Sequence, residues 1–248
     1  MPHFKLTLAY DGTAYHGWQV QPQQRTIQGT IEQAILKLTG QAVRVTASGR
    51  TDAGVHALGQ VASFSAECRL TLGELQTALS ALLPDDIAVL GVEEVPAGFH
   101  PIRDARWKCY RYVIHNGPIR DVFARRYAWH IVQPLDASAM QRAATALVGT
   151  HDFSSFETAG APRETSVRTV TRLEVRGEDA KPGQIIIEIV ADGFLYNMVR
   201  AIVGTLVEVG RGAEAESWPA EVLAACDRSA GGPTAPPQGL YLVYVVYS

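Results

Sequence analysis

The sequence predicts an α+β protein in which two successive halves share one element order, strand–helix–strand–strand–helix–strand. Three observations predict it. Apolar residues recur with period 2 and then period 3.6, and this alternation runs through the same order twice. A stretch rich in turn formers, Pro96 to Ala105, separates the two runs. The 248 residues, 47% of them apolar, suffice for one large domain or two small ones with cores of their own. The expected division is residues 1–105 and 106–248.

Each element has a local reason. Phe4, Leu6, Leu8 and Tyr10 alternate onto one face, so Phe4 to Tyr10 reads as a strand. Thr26 caps a helix with Ile27, Ile31, Ala34, Ile35 and Leu38 on its stripe, and Gly40 ends it. Val43 to Ala47 and Gln60 to Ser65 read as short strands on either side of a loop. Thr71-Leu72-Gly73-Glu74 is a capping box, opening a helix with Leu72, Leu75, Leu79 and Leu82 inward until Pro84 stops it. Ile87 to Val95 is again a strand.

The second half begins with a strand from Trp107 to His115 and a helix from the Asp136 cap to Val148. Arg168 to Val175 and Ile185 to Val190 read as strands, and Leu195 to Val209 as a helix ended by Gly210. A small helix near Glu221 to Cys226 precedes a last strand, Leu240 to Tyr247. The halves share no visible sequence identity, only this order, which is the ferredoxin-like pattern. Ser154 to Ser166 and Ser229 to Gln238 read as loops, the second, uncharged and rich in Gly and Pro, as a mobile one.

Chemistry concentrates between Ala47 and Phe64. Gly49, Gly54 and Gly59 let the backbone bend and approach a ligand closely, and Arg50, Thr51, Asp52, His56 and Gln60 crowd into the same stretch. A plain connection is shorter and less loaded. Asp52, between Arg50 and His56, fits a nucleophile, a general base or a metal ligand, but spacing alone favours a plain Asx-turn, where Asp is ordinary. A second signal lies in the Leu195 helix. From Phe194 to Val207 it is apolar on nearly every face, with Arg200 as the only charge. A buried guanidinium needs a carboxylate. Asp52 would serve, held ionised by a bidentate contact, unless Arg200 reaches the surface or pairs with Asp192.

The net charge of −3 argues mildly against a nucleic-acid partner, but its distribution argues for one. Residues 103–126 carry seven Lys and Arg against two Asp, a net of +5, which leaves −8 for the rest. Trp107, Tyr110 and Tyr112 interleave with the cations, as in segments that track phosphates and stack bases; a solvated strand edge protected by charge has the same composition. No apolar run spans a bilayer, and Met1-Pro2-His3-Phe4-Lys5 is no signal peptide. Cys68, Cys109 and Cys226 are isolated, so neither a disulfide framework nor a zinc knuckle fits. His56, His100 and His151 lack the spacing of a metal site. The expectation is a soluble, cytoplasmic protein.

With Gly49-Arg50-Thr51-Asp52-Ala53-Gly54-Val55-His56-Ala57 in view, the chain resembles the tRNA pseudouridine synthase A family. Tyr10-Asp11-Gly12 with Tyr15-His16-Gly17-Trp18-Gln19, Phe99-His100, and Lys108-Cys109-Tyr110-Arg111-Tyr112 fit the same resemblance. So do Gly149 to Phe156, Met198-Val199-Arg200 with Ile202-Val203-Gly204, and Gly239-Leu240-Tyr241-Leu242. The resemblance implies isomerisation of uridine to pseudouridine in the tRNA anticodon stem-loop, at positions 38, 39 and 40, without metal or organic cofactor. It implies Asp52, Tyr110 and Arg200 as the catalytic set, Arg50 at the flipped base, and a homodimer in which each tRNA meets both subunits. Arg50, Tyr110, His56, Lys108 and Arg111 are the expected substrate contacts. The two halves are expected to form a mostly antiparallel sheet with helices on one face and the active-site cleft between them. Pro101-Ile102 departs from the Ala-Arg common in the family at that point.

The chemistry agrees with the residues. A carboxylate can capture an oxocarbenium-like C1′ or add to C6 of the base, and the sequence does not choose between these. The uridine must leave its stack, which calls for an aromatic face and an arginine to fill the gap. Two other readings stay open: a non-catalytic RNA-binding module, which would not need Arg200 buried beside Asp52, and a carboxylate-based nucleoside or glycoside hydrolase, which would need a second carboxylate that the Asp52 loop lacks.

Overall fold

The computed structural model describes residues 1–158, 165–177 and 181–247. The chain divides into two compact units, Met1–Arg106 with the chain from Tyr241 onward, and Trp107–Leu240. Both mix helices with mostly antiparallel strands, as expected of an α+β fold.

In the first unit, β1 (His3–Tyr10), α1 (Ile27–Thr39), β2 (Thr46–Ala47), β3 (His56–Ser65), α2 (Leu72–Leu82) and β4 (Ile87–Val95) follow in the expected order. The sheet runs β4-β1-β3 with β2 beyond β3, all antiparallel, which is the ferredoxin-like arrangement. Thr26 accepts from Gly29 N–H at the start of α1, and Gly40 closes it at φ 71, a conformation glycine adopts without cost. The Thr71–Glu74 capping box is present in full.

Two details differ from the sequence reading. Val43 to Val45 does not pair as a strand, because the Val45 N–H is taken by the Glu32 carboxylate at 2.9 Å instead of a neighbouring backbone. In α2, Leu75 and Leu79 are buried, but Leu72 and Leu82, at its two ends, stay 40% exposed. The middle of that helix carries the packing, where the Gln76 amide donates to Val89 O.

In the second unit, β5 (Ala105–Asn116), α3 (Ala137–Ala144), β8 (Val167–Gly177), β9 (Gln184–Ala191) and α4 (Met198–Gly210) stand at the expected elements, although α3 stops at Ala144 and Thr145–Leu147 continues as a 3-10 turn. Asp136 caps α3 by accepting from Ala139 N–H at 2.9 Å. The sheet runs β5-β9-β8, antiparallel throughout. Two short strands were not expected. β6 (Trp129–Ile131) lies parallel to β5, and β7 (Gly149–Asp152) adds antiparallel to β8. The small helix is α5 (Trp218–Ala225).

α4 starts three residues later than expected because Asn197 sits at φ 63, outside the helical region. The last strand, β10 (Leu240–Tyr247), pairs parallel with β3 from Tyr241 on, so it groups with the first unit although sequence order had put it with residues 106–248. The stretch 229–238, read as mobile, is pinned across α4. Gly232 N–H donates to Thr205 Oγ1, Ala235 N–H to Arg200 O, and a Cβ on Gly204 would meet Pro233 O at 1.6 Å. Of the expected loop 154–166, residues 159–164 lie outside the described residues.

Candidate active site

The Asp52 loop joins β2 to β3 over a buried polar network. Ser48 Oγ donates to Gln60 Oε1 at 2.7 Å. The Gln60 amide donates in turn to Gly49 O at 2.8 Å and to the Tyr10 hydroxyl at 3.2 Å. That hydroxyl shares a 2.8 Å bond with Thr51 Oγ1. Ser48, Thr51, Gln60 and Tyr10 are all at most 5% exposed. Burial pushes the Tyr10 phenol up to about 12, so it stays neutral and serves as a fixed hydrogen-bonding post. Buried polar groups bonded to one another in this way specify one backbone path.

A second segment presses on the same loop from the side. Trp18 N–H donates to Thr51 O at 2.9 Å. A Cβ on Gly17, which sits at φ +84, would come within 2.7 Å of that oxygen, so only glycine allows the approach. The loop closes with Val55 N–H on Asp52 O at 3.1 Å, and Gly54 takes φ +79 just before it. Asp52 is thereby held half-buried, between exposed Arg50 and exposed Ala53.

His56, expected at the substrate, is 1% exposed. Its Nδ1 lies 3.1 Å from Gly12 N and 3.1 Å from Asp11 Oδ1. A bare Nδ1 accepts from the Gly12 N–H, and an Nδ1 that carries a proton donates to Asp11; one nitrogen cannot do both. Either way that nitrogen ties the end of the loop to the turn after β1. The ring also stacks on Tyr241 at 4.9 Å.

The other candidate residues belong to the second unit. Lys108, Tyr110 and Tyr112 share one face of β5 by their period of two. Tyr110 is 8% exposed, its ring edge-on to Phe194 at 4.9 Å. Tyr112 is fully buried and donates to Pro236 O at 2.7 Å; burial, against the nearby Arg200 charge, raises its phenol well above the usual range. Burial, and then the Arg168 charge, pull the Lys108 ammonium down to about 8. Arg111 faces the opposite side of the sheet, where it pairs with its cross-strand neighbour Glu188 at 2.7 Å.

Arg200 lies in the first turn of α4 and is half-buried. Its Nε donates to Ala235 O and its Nη1 to Asn197 Oδ1, both at 2.7 Å. The pinned 229–238 stretch and the left-handed Asn197 therefore both orient the guanidinium.

The first unit thus collects Arg50, Asp52 and His56 on one anchored loop, and the second collects Lys108, Tyr110 and Arg200, with Arg111 turned away. Sequence reasoning gave no site role to Ser48, Phe194 or Arg168; it named Tyr10 only within a motif and Tyr112 only among the rings of the basic segment. Tyr112 carried a signal, since it repeats the Lys108–Tyr110 spacing; the others are joined only in space. Among the described residues, no three His, Cys, Asp or Glu side chains cluster as a metal site.

Residues 7–102 and 143–248 match the model of a family described as tRNA pseudouridine synthase. Curated relatives are similar over all or nearly all of their length. The tRNA pseudouridine synthase A of Moorella thermoacetica is 49% identical over 250 residues, covering 100% of both chains. That of Brevibacillus brevis is 50% identical over 248 residues, and that of a Thermoanaerobacter species 44% identical over 248, again with 100% of each chain covered.

Proposed function

Because this chain belongs to the tRNA pseudouridine synthase family, we propose that it isomerises uridine to pseudouridine in the tRNA anticodon stem-loop, at positions 38, 39 and 40, with Asp52 as the attacking group. The reaction breaks the N1–C1′ bond, turns the uracil and joins C5 to C1′. C5 gives up its proton and N1 gains one, so the atoms balance without oxidant, reductant or consumed water. Asp52 attacks C1′ or C6 of the base, and either role needs an ionised carboxylate held still.

One observation carries this reading. Asp52 sits half-buried on a loop fixed from beneath by the buried Ser48–Gln60–Tyr10–Thr51 network. Preorganisation of that kind is what a reacting carboxylate requires.

Arg200 is proposed as the counter-ion that keeps Asp52 ionised. In support, it is a half-buried guanidinium on an apolar helix, already oriented by Ala235 O and Asn197 Oδ1. Tyr110 is proposed to stack on the uracil and to accept the C5 proton; its support is a largely buried ring on the same face as Lys108. Exposed Arg50 at the loop is suited to fill the space left by the flipped base, and Lys108 to hold a phosphate. His56 and Arg111 act from behind, through Asp11–Gly12 and Glu188. Two copies are proposed to work as a homodimer in the cytoplasm.

The test is incubation of the protein with an unmodified tRNA transcript, followed by mapping of pseudouridine. New pseudouridine within positions 38 to 40 is expected. Unchanged uridine there would overturn the reading, and release of free uracil would favour a hydrolase.

A further inference from the structure

Beyond the end of β5, residues 117–127 form a rigid apolar wedge. Ile119 is 80% exposed, Val122 56% and Phe123 86%. Single exposed apolar residues are ordinary, but three within five positions mark an interaction site. The backbone that displays them is well tied. His130 Nε2 donates to Gly117 O at 2.8 Å and His115 Nε2 to Ile119 O at 3.0 Å, and the two rings stack at 5.4 Å. Asp121 Oδ1 accepts from Phe123 N–H at 2.8 Å and Ala124 N–H at 3.1 Å. Arg125 Nη1 closes onto Val122 O. Phe123 is thus preorganised in solvent, without the ordering cost that a floppy loop would impose on binding.

The charges around the ring select the partner. Arg120, Arg125 and Arg126 lie within three residues of it in sequence, against one carboxylate, Asp121, which backbone N–H groups hold below the usual carboxylate range. An aromatic face amid guanidinium groups suits single-stranded nucleic acid, which offers a base to the ring and phosphates to the cations. Past the wedge the chain turns back along β5, where β6 sets Trp129 beside Ile114 and His130 beside His115.

We propose that Phe123 stacks on a second unpaired base of the RNA substrate, distinct from the one assigned to Tyr110, with Arg120 and Arg125 on the flanking phosphates. The inference rests on the RNA substrate proposed above. Ile119 and Val122 line the same tip and exclude water from the stacked base.

The experiment compares Phe123→Ala and Phe123→Leu in the full chain. Binding of a fluorescent unmodified tRNA transcript, kcat and KM, and sedimentation velocity are measured together. Phe123→Ala is expected to raise Kd about ten-fold and KM with it, leaving kcat and sedimentation unchanged. Leucine, apolar but without a π face, is expected not to restore affinity. Wild-type affinity in Phe123→Ala, recovery in Phe123→Leu, or a shift of sedimentation to a smaller species would each overturn the proposal, the last by assigning the wedge to a second copy of the chain. A wild-type protein that binds tRNA but makes no pseudouridine would overturn the reaction and leave the stacking result standing on binding alone.

Discussion

Replacing Gln60 by methionine tests whether the buried network holds the Asp52 loop. The change keeps the volume of the side chain and removes its three hydrogen bonds, to Ser48 Oγ, Gly49 O and Tyr10 OH. Tyr10 keeps Thr51 as a partner, whereas the Ser48 hydroxyl loses this one and the Gly49 carbonyl is left without its amide. At about 1 kcal/mol net for each bond, the loss comes to about 3 kcal/mol. That is a large part of a stability of order 5–15 kcal/mol. With an m-value of ~3 kcal/mol/M for urea, the unfolding midpoint should fall by about 1 M. The same variant should lose at least about ten-fold in kcat, since small misplacement of a reacting group is costly, with tRNA affinity nearly unchanged. A midpoint within roughly 0.3 M of wild type would refute the energetic argument. Full kcat in a clearly destabilised variant would show that the loop does not depend on the network for its geometry.

Two further outcomes follow from the second unit. The Lys108 ammonium, pulled down from 10.5 to about 8, costs stability in full below pH 8 and nothing above 10.5. Lys108→Met should therefore be more stable in urea by about 1–3 kcal/mol at pH 7, the difference shrinking as pH rises from 8 to 10.5; a pH-independent difference would contradict this. Tyr110→Phe keeps the ring and its edge contact with Phe194, so tRNA affinity should hold within about two-fold. Turnover should stall after the glycosidic bond has broken, because the C5 proton leaves last, and near-normal turnover would leave the ring with stacking alone.

Local features of the sequence carried most of the fold. The Thr26 and Asp136 caps, the Thr71–Glu74 box and the period-2 run Phe4–Tyr10 each act within a few residues, and each formed as expected. What escaped was decided at a distance. Val43 to Val45 has strand composition, but a glutamate on α1 takes its amide. β7 opens on Gly149 at φ +122 and contains His151 and Asp152, which no strand propensity would select; pairing with β8 makes it a strand. The glycines and polar crowd around Asp52 are contiguous and could be read directly. Their support could not, because Tyr10 lies 41 residues from Thr51 and 50 from Gln60. Arg111 illustrates the limit of composition. It reads as an RNA-facing cation beside Tyr110, yet the pleat turns it to the face where Glu188 waits.

The central claim is that Asp52 carries the chemistry while other groups carry the RNA. Asp52→Asn preserves the shape of the side chain and removes its nucleophilic charge, so it separates the two most directly. Pseudouridine formation on an unmodified tRNA transcript and the Kd for the same transcript are measured side by side. The account predicts no detectable pseudouridine and a Kd close to wild type, since affinity rests on separate cations. Substantial pseudouridine from a pure Asp52→Asn preparation would contradict it.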